Sequence, residues 1–320
     1  MLKRLLKYFI SLICIFSISY PVFSQSENYN NYKIIPFEQN FSLLFFMANK
    51  FNSVSHKYLS EKNIYEPNKP LSIGIGFVGE KIGLKIGYGF DFLTNNKKQR
   101  SESLDLQYHY YGRKFLFDAT LQRHKGFYKN SDIESSDIYE DFKTIKSGIF
   151  WQYVFNPDNF SYRAAYSQRD MQIKSGGSFL LGGGIYYSEI HCNIPYFFND
   201  NEEEKTKLTN FQLGPSIGVA YNIAITKKFY MFFAISGGIN LGFNDKFKDF
   251  SVFPTAIPRF SMGYNFNSWS ININYTNDLI FAYISKNRKI MMDSGSVQLH
   301  VLKRFNVDYK KIKSKLGFSL

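Results

Sequence analysis

The chain has 320 residues, with 39 Lys and Arg against 26 Asp and Glu for a formal net charge of +13, and it carries 34 Phe, 24 Tyr, 22 Gly and two Cys. Two cysteines are too few for a disulfide framework or a Cys-based metal site. The cations are scattered except near the C-terminus, which points to an anionic lipid surface as electrostatic partner and away from nucleic acid.

The first element is an export segment. Lys3, Arg4 and Lys7 form a positive start, Tyr8 to Tyr20 is an almost uncharged apolar run, and Val22-Phe23-Ser24 offers side chains that a signal peptidase tolerates. Residues 1–24 are therefore expected to be a signal peptide, cleaved before Gln25. About 13 apolar residues are too few to cross a bilayer as a helix. Cys14 does not read as a lipid-attachment site, because Ile13 stands where that processing wants a small residue. Removing Lys3, Arg4 and Lys7 lowers the net charge to +10 and leaves Cys192 as the one thiol. Residues 25–40 are expected to be an N-terminal periplasmic segment.

From residue 41 onward the dominant signal is alternation. In Lys81 to Phe92 every even position is apolar and every odd one is Gly or charged. Successive strand side chains point to opposite faces, so this segment has one greasy face and one polar or bare face. Slipping the register by one residue would turn Lys81, Lys85 and Asp91 toward the apolar side, and a basic group costs about 2–4 kcal/mol at a lipid midplane. The same arithmetic holds in 103–111, in 211–225 and in 269–279. Runs of nine or more residues suit tilted transmembrane strands, whereas strands of soluble sandwiches are nearer five or six.

Candidate strands lie near 41–51, 70–79, 81–92, 102–111, 113–125, 143–155, 177–190, 208–225, 228–243, 255–266, 268–283 and 294–305, twelve in all. Tight connections fall at Gly79-Glu80, Tyr111-Gly112-Arg113, Thr226-Lys227-Lys228 and Asn265 to Trp269; longer polar ones fall at 52–69, 93–101, 126–142, 191–207, 244–254 and 284–293. Long and short then alternate strictly, as in bacterial barrels, provided 157–176 does not span. The expectation is an all-β transmembrane antiparallel β-barrel of about 12 strands over 41–306, with a short lumenal or periplasmic insert at 157–176 that includes a short helix capped by Ser161. Lys310, Lys311, Lys313 and Lys315 make 307–320 a basic tail.

Three matches to chemical motifs read as accidents of strand composition. Gly74-Ile75-Gly76-Phe77-Val78-Gly79 fits a dinucleotide fingerprint but leads into a turn and another strand rather than a helix. Gly214-Pro215-Ser216-Ile217-Gly218 fits a nucleophile elbow but sits inside a long strand with Ser216 inward. The acidic run Asp200 to Glu204 reads as a solvated loop. His109 shares an inner face with Asp105, and Asp118 on the next strand comes near it; such an Asp–His pair suits a structural ion network inside a barrel better than catalysis. No enzyme activity, cofactor or metal is expected.

The most distinctive sequence is Phe160-Ser161-Tyr162-Arg163-Ala164-Ala165-Tyr166-Ser167-Gln168, followed by Gln172 and Lys174-Ser175-Gly176-Gly177-Ser178-Phe179-Leu180-Leu181-Gly182. Together with Gln122 and Lys125-Gly126-Phe127-Tyr128 it resembles a family of outer-membrane barrels from Bacteroidota that is described as a domain of unknown function. The resemblance covers nearly the whole mature chain, with Gly176-Gly177 in place of an Ala-Gly pair. It implies an outer-membrane barrel and supplies no substrate or catalytic residues. Physically, the block suits a plug: Tyr162, Arg163, Tyr166, Gln168, Gln172, Lys174, Ser175 and Ser178 are the candidate plug residues. Asp91, Asp105, His109, Asp118 and Gln122 are candidates on the lumenal wall, with Arg163 and Lys174 expected to pair with the inward Asp91, Asp105 or Asp118.

The functional expectation is a narrow plugged channel or binding barrel for a small solute or lipid. A structural or assembly barrel in an envelope secretion or glycan complex is the alternative, and a lipid-modifying enzyme a distant third. Expected partners are outer-membrane lipids and envelope proteins.

Overall fold

The computed structural model describes residues 33–67, 71–79, 81–89, 101–129, 138–194, 197–198, 206–244, 249–284 and 287–308. The segment expected to be a signal peptide, with Cys14, the wall candidate Asp91, the acidic run 200–204 and the tail beyond Asp308 lie outside the described residues.

The chain forms fifteen strands and one short helix in the described residues. They are β1 (Ile34–Pro36), β2 (Phe41–Tyr58), β3 (Glu61–Pro67), β4 (Leu71–Val78), β5 (Ile82–Gly89), β6 (Glu102–Tyr111), β7 (Phe115–Lys129), β8 (Ile138–Val154), α1 (Tyr162–Tyr166), β9 (Asp170–Gln172), β10 (Gly176–His191), β11 (Lys207–Ala224), β12 (Phe229–Asn244), β13 (Asp249–Asn265), β14 (Trp269–Ile284) and β15 (Arg288–Phe305). Twelve of these make one antiparallel ring in the order β2, β4, β5, β6, β7, β8, β10 to β15. The last strand closes on the first without a break, from Arg288 opposite Tyr58 to Phe305 opposite Phe41. Closure leaves no unpaired edge, which is what hydrocarbon demands of a sheet.

Lipid on one side explains the sidedness. On β11 the odd positions Leu213, Ile217, Val219, Tyr221 and Ile223 are exposed, while Gln212, Ser216, Ala220 and Asn222 between them are buried inward. On β5, Ile86 and Tyr88 face out and Lys85 is buried. Phe115, Phe155, Phe266 and Trp269 stand exposed beside the short turns, an aromatic belt of the kind found where bilayer meets water. The fold is thus the transmembrane antiparallel barrel read from the alternation, with twelve strands in its ring.

The connections differ from expectation at the long-loop end. Residues 52–69 are not a polar loop: β2 runs on to Tyr58, turns at Leu59-Ser60 and returns as β3. There β3 lies between the upper ends of two wall strands, pairing Tyr65 with Val54 of β2 and with Lys129 of β7. Likewise β13 begins at Asp249 and β15 at Arg288, inside segments read as loops. Above the bilayer neither face is held to the lipid pattern, so strand pairing continues without the alternation that marks it below.

Gly126 makes the upper end of β7 possible. It sits at φ 81 in a bulge where the register with β8 shifts between Lys125 and Phe127. A side chain at that φ is disfavoured, and the extra residue switches which face the following side chains use. Phe127 is thereby turned inward, where its ring stacks on Phe142 at 4.5 Å.

Candidate functional site

The lumen is closed twice. At the short-turn end the insert between β8 and β10 folds into the mouth. Ser161 caps α1, its Oγ accepting from Ala164 N at 3.2 Å and donating to Asp170 at 2.6 Å. Gln168 follows the helix at φ 46, and its Nε2 donates to Ala165 O at 2.6 Å and to the Tyr230 hydroxyl at 3.2 Å. Those side-chain bonds hold a residue other than Gly in the left-handed position where helices end. Beyond it β9 pairs with the N-terminal β1, Ile34 opposite Gln172. Gln172 in turn accepts from Ser161 N at 3.0 Å and from Asn222 Nδ2 on β11 at 2.6 Å. The insert therefore lies in the lumen at α1 and meets the N-terminal segment at the mouth.

At the opposite end an apolar cluster fills the lumen. Tyr65, Phe127, Phe142, Phe197 and Met292 are all buried in it. Phe197 meets Phe142 edge-on at 5.6 Å and Tyr65 at 5.5 Å. This second closure had no clear signal in the alternation, because its inward residues are as apolar as the lipid-facing ones.

Between the closures lies a polar chamber of about 60 Å³. Asp105, His109 and Asp118 reach it from β6 and β7, as the parity predicts, and Gln122 lines it beside His124. Its floor is the ring of Tyr166 from α1, whose hydroxyl donates to Tyr275 O at 3.1 Å. Asp118 is the hub: His109 Nδ1 lies 2.6 Å from one oxygen and Arg259 Nη1 donates to the other at 2.7 Å. The same guanidinium donates to the Tyr162 hydroxyl at 3.1 Å and lies 5.7 Å from the Tyr166 ring centroid, a cation–π distance. Chamber and plug thus share one cation.

The expected ion pairs of the plug are corrected. Arg163 pairs with Asp170 inside the insert at 3.2 Å, not with a wall carboxylate. Lys174 is exposed, and Ser175, also exposed, accepts from Ala224 N. The wall acids have partners on the wall: Asp105 pairs with Lys50 at 3.1 Å and Asp278 with Lys146 at 3.4 Å. Ser178 does serve the insert, accepting from Asn156 N at 2.9 Å. Lys50, Lys146 and Arg259 were absent from the sequence-derived list. The signal that finds them is simple: a charged residue inside a spanning strand must face the lumen.

His109 is engaged on both ring nitrogens. Its Nε2 lies 3.3 Å from Gln107 Oε1, and the Tyr111 hydroxyl approaches Nδ1 at 3.1 Å. Such a histidine reads as a fixed member of a network.

The family described as Domain of unknown function (DUF4421) matches residues 30–305. No curated protein matches the sequence. Among solved structures, the translocator domain of autotransporter NalP from Neisseria meningitidis is similar over 83% of this chain and 88% of its own, at 11% identity and a TM-score of 0.41. A bacterial polysaccharide outer membrane secretin is similar over 84% of this chain and 99% of its own, at 8% identity and a TM-score of 0.36. OmpT of Vibrio cholerae is similar over 85% of this chain and 100% of its own, at 9% identity and a TM-score of 0.30. No activity carries across at such distances.

Proposed function

We propose that this chain, which belongs to the family described as Domain of unknown function (DUF4421), is an outer-membrane barrel that admits a small polar solute to its lumenal chamber when the insert shifts. The observation that carries this reading is the shared cation. Arg259 holds Asp118 in the chamber wall and Tyr162 in the plug, so moving the plug rearranges the chamber. A volume of about 60 Å³ excludes a lipid and suits a few heavy atoms. Short turns on the insert side support a periplasmic plug and long loops facing outward. The saturated ring of His109 supports a role without catalysis. Outer-membrane lipid is the constant partner of the exposed apolar face.

Planar-bilayer recording tests this. The intact protein gives no steady conductance, and deletion of residues 160–173 combined with Phe142→Ala and Phe197→Ala in the second closure opens one. A combined variant that folds and stays silent would reject passage of solute.

A second reading is favoured by the double closure: with aromatic packing at one end and the insert at the other, the barrel is built as an anchor or assembly subunit. Stable co-purification of envelope proteins, together with a silent combined variant, would select it.

A further inference from the structure

Among the described residues Lys85 differs from Lys50, Lys146 and Arg259 in having no carboxylate in direct contact. Its side chain is 8% exposed, lines the chamber, and among the described residues makes neither a hydrogen bond nor an ion pair. The topology explains its isolation. The inward positions beside it on β4 and β5 are glycines, Gly74, Gly76, Gly83 and Gly87, and its partner across the ladder on β6 is the neutral Gln107. Among the described residues each carboxylate that lines the chamber is already paired: Lys50 on Asp105, Arg259 on Asp118 and Lys146, from behind the lining, on Asp278. That leaves the Lys85 ammonium without a carboxylate of its own, and an ion removed from water without a direct partner is costly.

We infer that the chamber is a site for one small protonated oxyanion of the hydrogen-phosphate type, with the Lys85 ammonium as its counter-charge. This rests on the reading of the lumen as a solute chamber and names the solute class. Three further observations fit the choice. The Nε of Arg259 is buried with no acceptor, so a second cationic donor is open. Gln122 Oε1 and Asn274 Oδ1 are buried at the chamber with no donor. An anion that still carries O–H groups satisfies both sets at once, which chloride and fully ionised sulfate do not. A volume of about 60 Å³ holds four to six waters at about 10–15 Å³ each, room for the five heavy atoms of one tetrahedral oxyanion. Enclosure at both ends excludes a phosphate carried on a sugar or a lipid.

The test is calorimetric titration of inorganic phosphate, with sulfate as control, into the purified detergent-solubilised protein. Lys85→Met and Lys85→Arg are compared, and thermal melting checks that each is folded. The inference predicts one phosphate per chain, at least tenfold weaker sulfate binding, at least tenfold weaker phosphate binding in Lys85→Met, and recovery in Lys85→Arg. Should Lys85→Met fail to fold, Lys85→Gln takes its place. Absence of phosphate binding, or equal binding by the neutral variant, overturns the oxyanion site. Recording from the barrel relieved of both closures separates the two claims. Conductance without phosphate binding leaves passage standing and removes the oxyanion. Phosphate binding without conductance leaves the site standing and removes passage.

Discussion

The guanidinium of Arg304, on the strand that closes the barrel, lies 3.5 Å from the ring centroid of Phe37, just before the first wall strand. Arg304 is buried, and its nitrogens donate to Gln168 O at 3.0 Å in the insert and to Phe266 O and Trp269 O at 3.2 and 3.0 Å in a short turn. The Ser270 hydroxyl and Asn265 Oδ1 complete its contacts. One side chain therefore ties the N-terminal segment, the plug and the last hairpin together.

Replacing Arg304 with Met removes the guanidinium donor from Gln168 O and Phe266 O, each such loss worth about 1–3 kcal/mol where the acceptor is buried, whereas Trp269 O keeps Phe266 N and Asn265 Oδ1 keeps the Ser270 hydroxyl. The expected result is a loss of stability by at least 2 kcal/mol in urea titration of the lipid-reconstituted protein, with faster proteolysis of the insert. A Met variant as stable as the parent would show that the plug is held elsewhere.

Sidedness gives a sharper pair. Ile217 is 69% exposed on the lipid face of β11, while its neighbour Ser216 is buried in the lumen. Ile217→Arg should cost about 2–4 kcal/mol in folding into bilayers, and Ile217→Leu close to nothing. Equal stability of the two variants would mean that water, not lipid, surrounds this position.

Gly126→Ala places a Cβ at φ 81 in the β7 bulge. Beyond the backbone cost of about 1 kcal/mol, the register switch that turns Phe127 inward is put at risk. A lower melting temperature and faster cleavage at the long-loop end by added protease are expected. The Lys125-Gly126-Phe127-Tyr128 segment, read from sequence only as part of a resemblance, is explained by this bulge.

Cys192 follows β10 at the long-loop end and is fully buried, and burial pushes its thiol up to about 12. A raised value means the neutral thiol dominates at every pH below about 12, so little thiolate exists at pH 8. Maleimide should fail to modify the folded protein at pH 8 and react readily after denaturation. Rapid labelling of the native barrel would show that the apolar cluster around Cys192 opens.

What the sequence made legible follows from the solvent on each face. Where hydrocarbon bathes one side, as along β5, β6, β11 and β14, period-two alternation gave strand, face and register, and through them Asp105, His109 and Asp118 in the lumen. Where lipid ends, the rule ends too, and β3 with its turn at Leu59 read as loop. Arg259 was obscured because its strand puts Pro254 and Pro258 outward but also sends the apolar Ile257 inward, against Phe150 and Ile280. Apolar residues on both faces erase the alternation. The Arg163–Asp170 pair was missed because a local turn, not the wall, brings the two together.

Spin labels placed one at a time from 213 to 223 on β11, in reconstituted bilayers, test the account most directly. Oxygen collisions, which report hydrocarbon, should peak at 213, 217, 219, 221 and 223 and fall at the even positions, with a water-soluble nickel complex excluded from the odd ones. Uniform access of the nickel complex along the strand would contradict a barrel whose outer surface is dissolved in lipid.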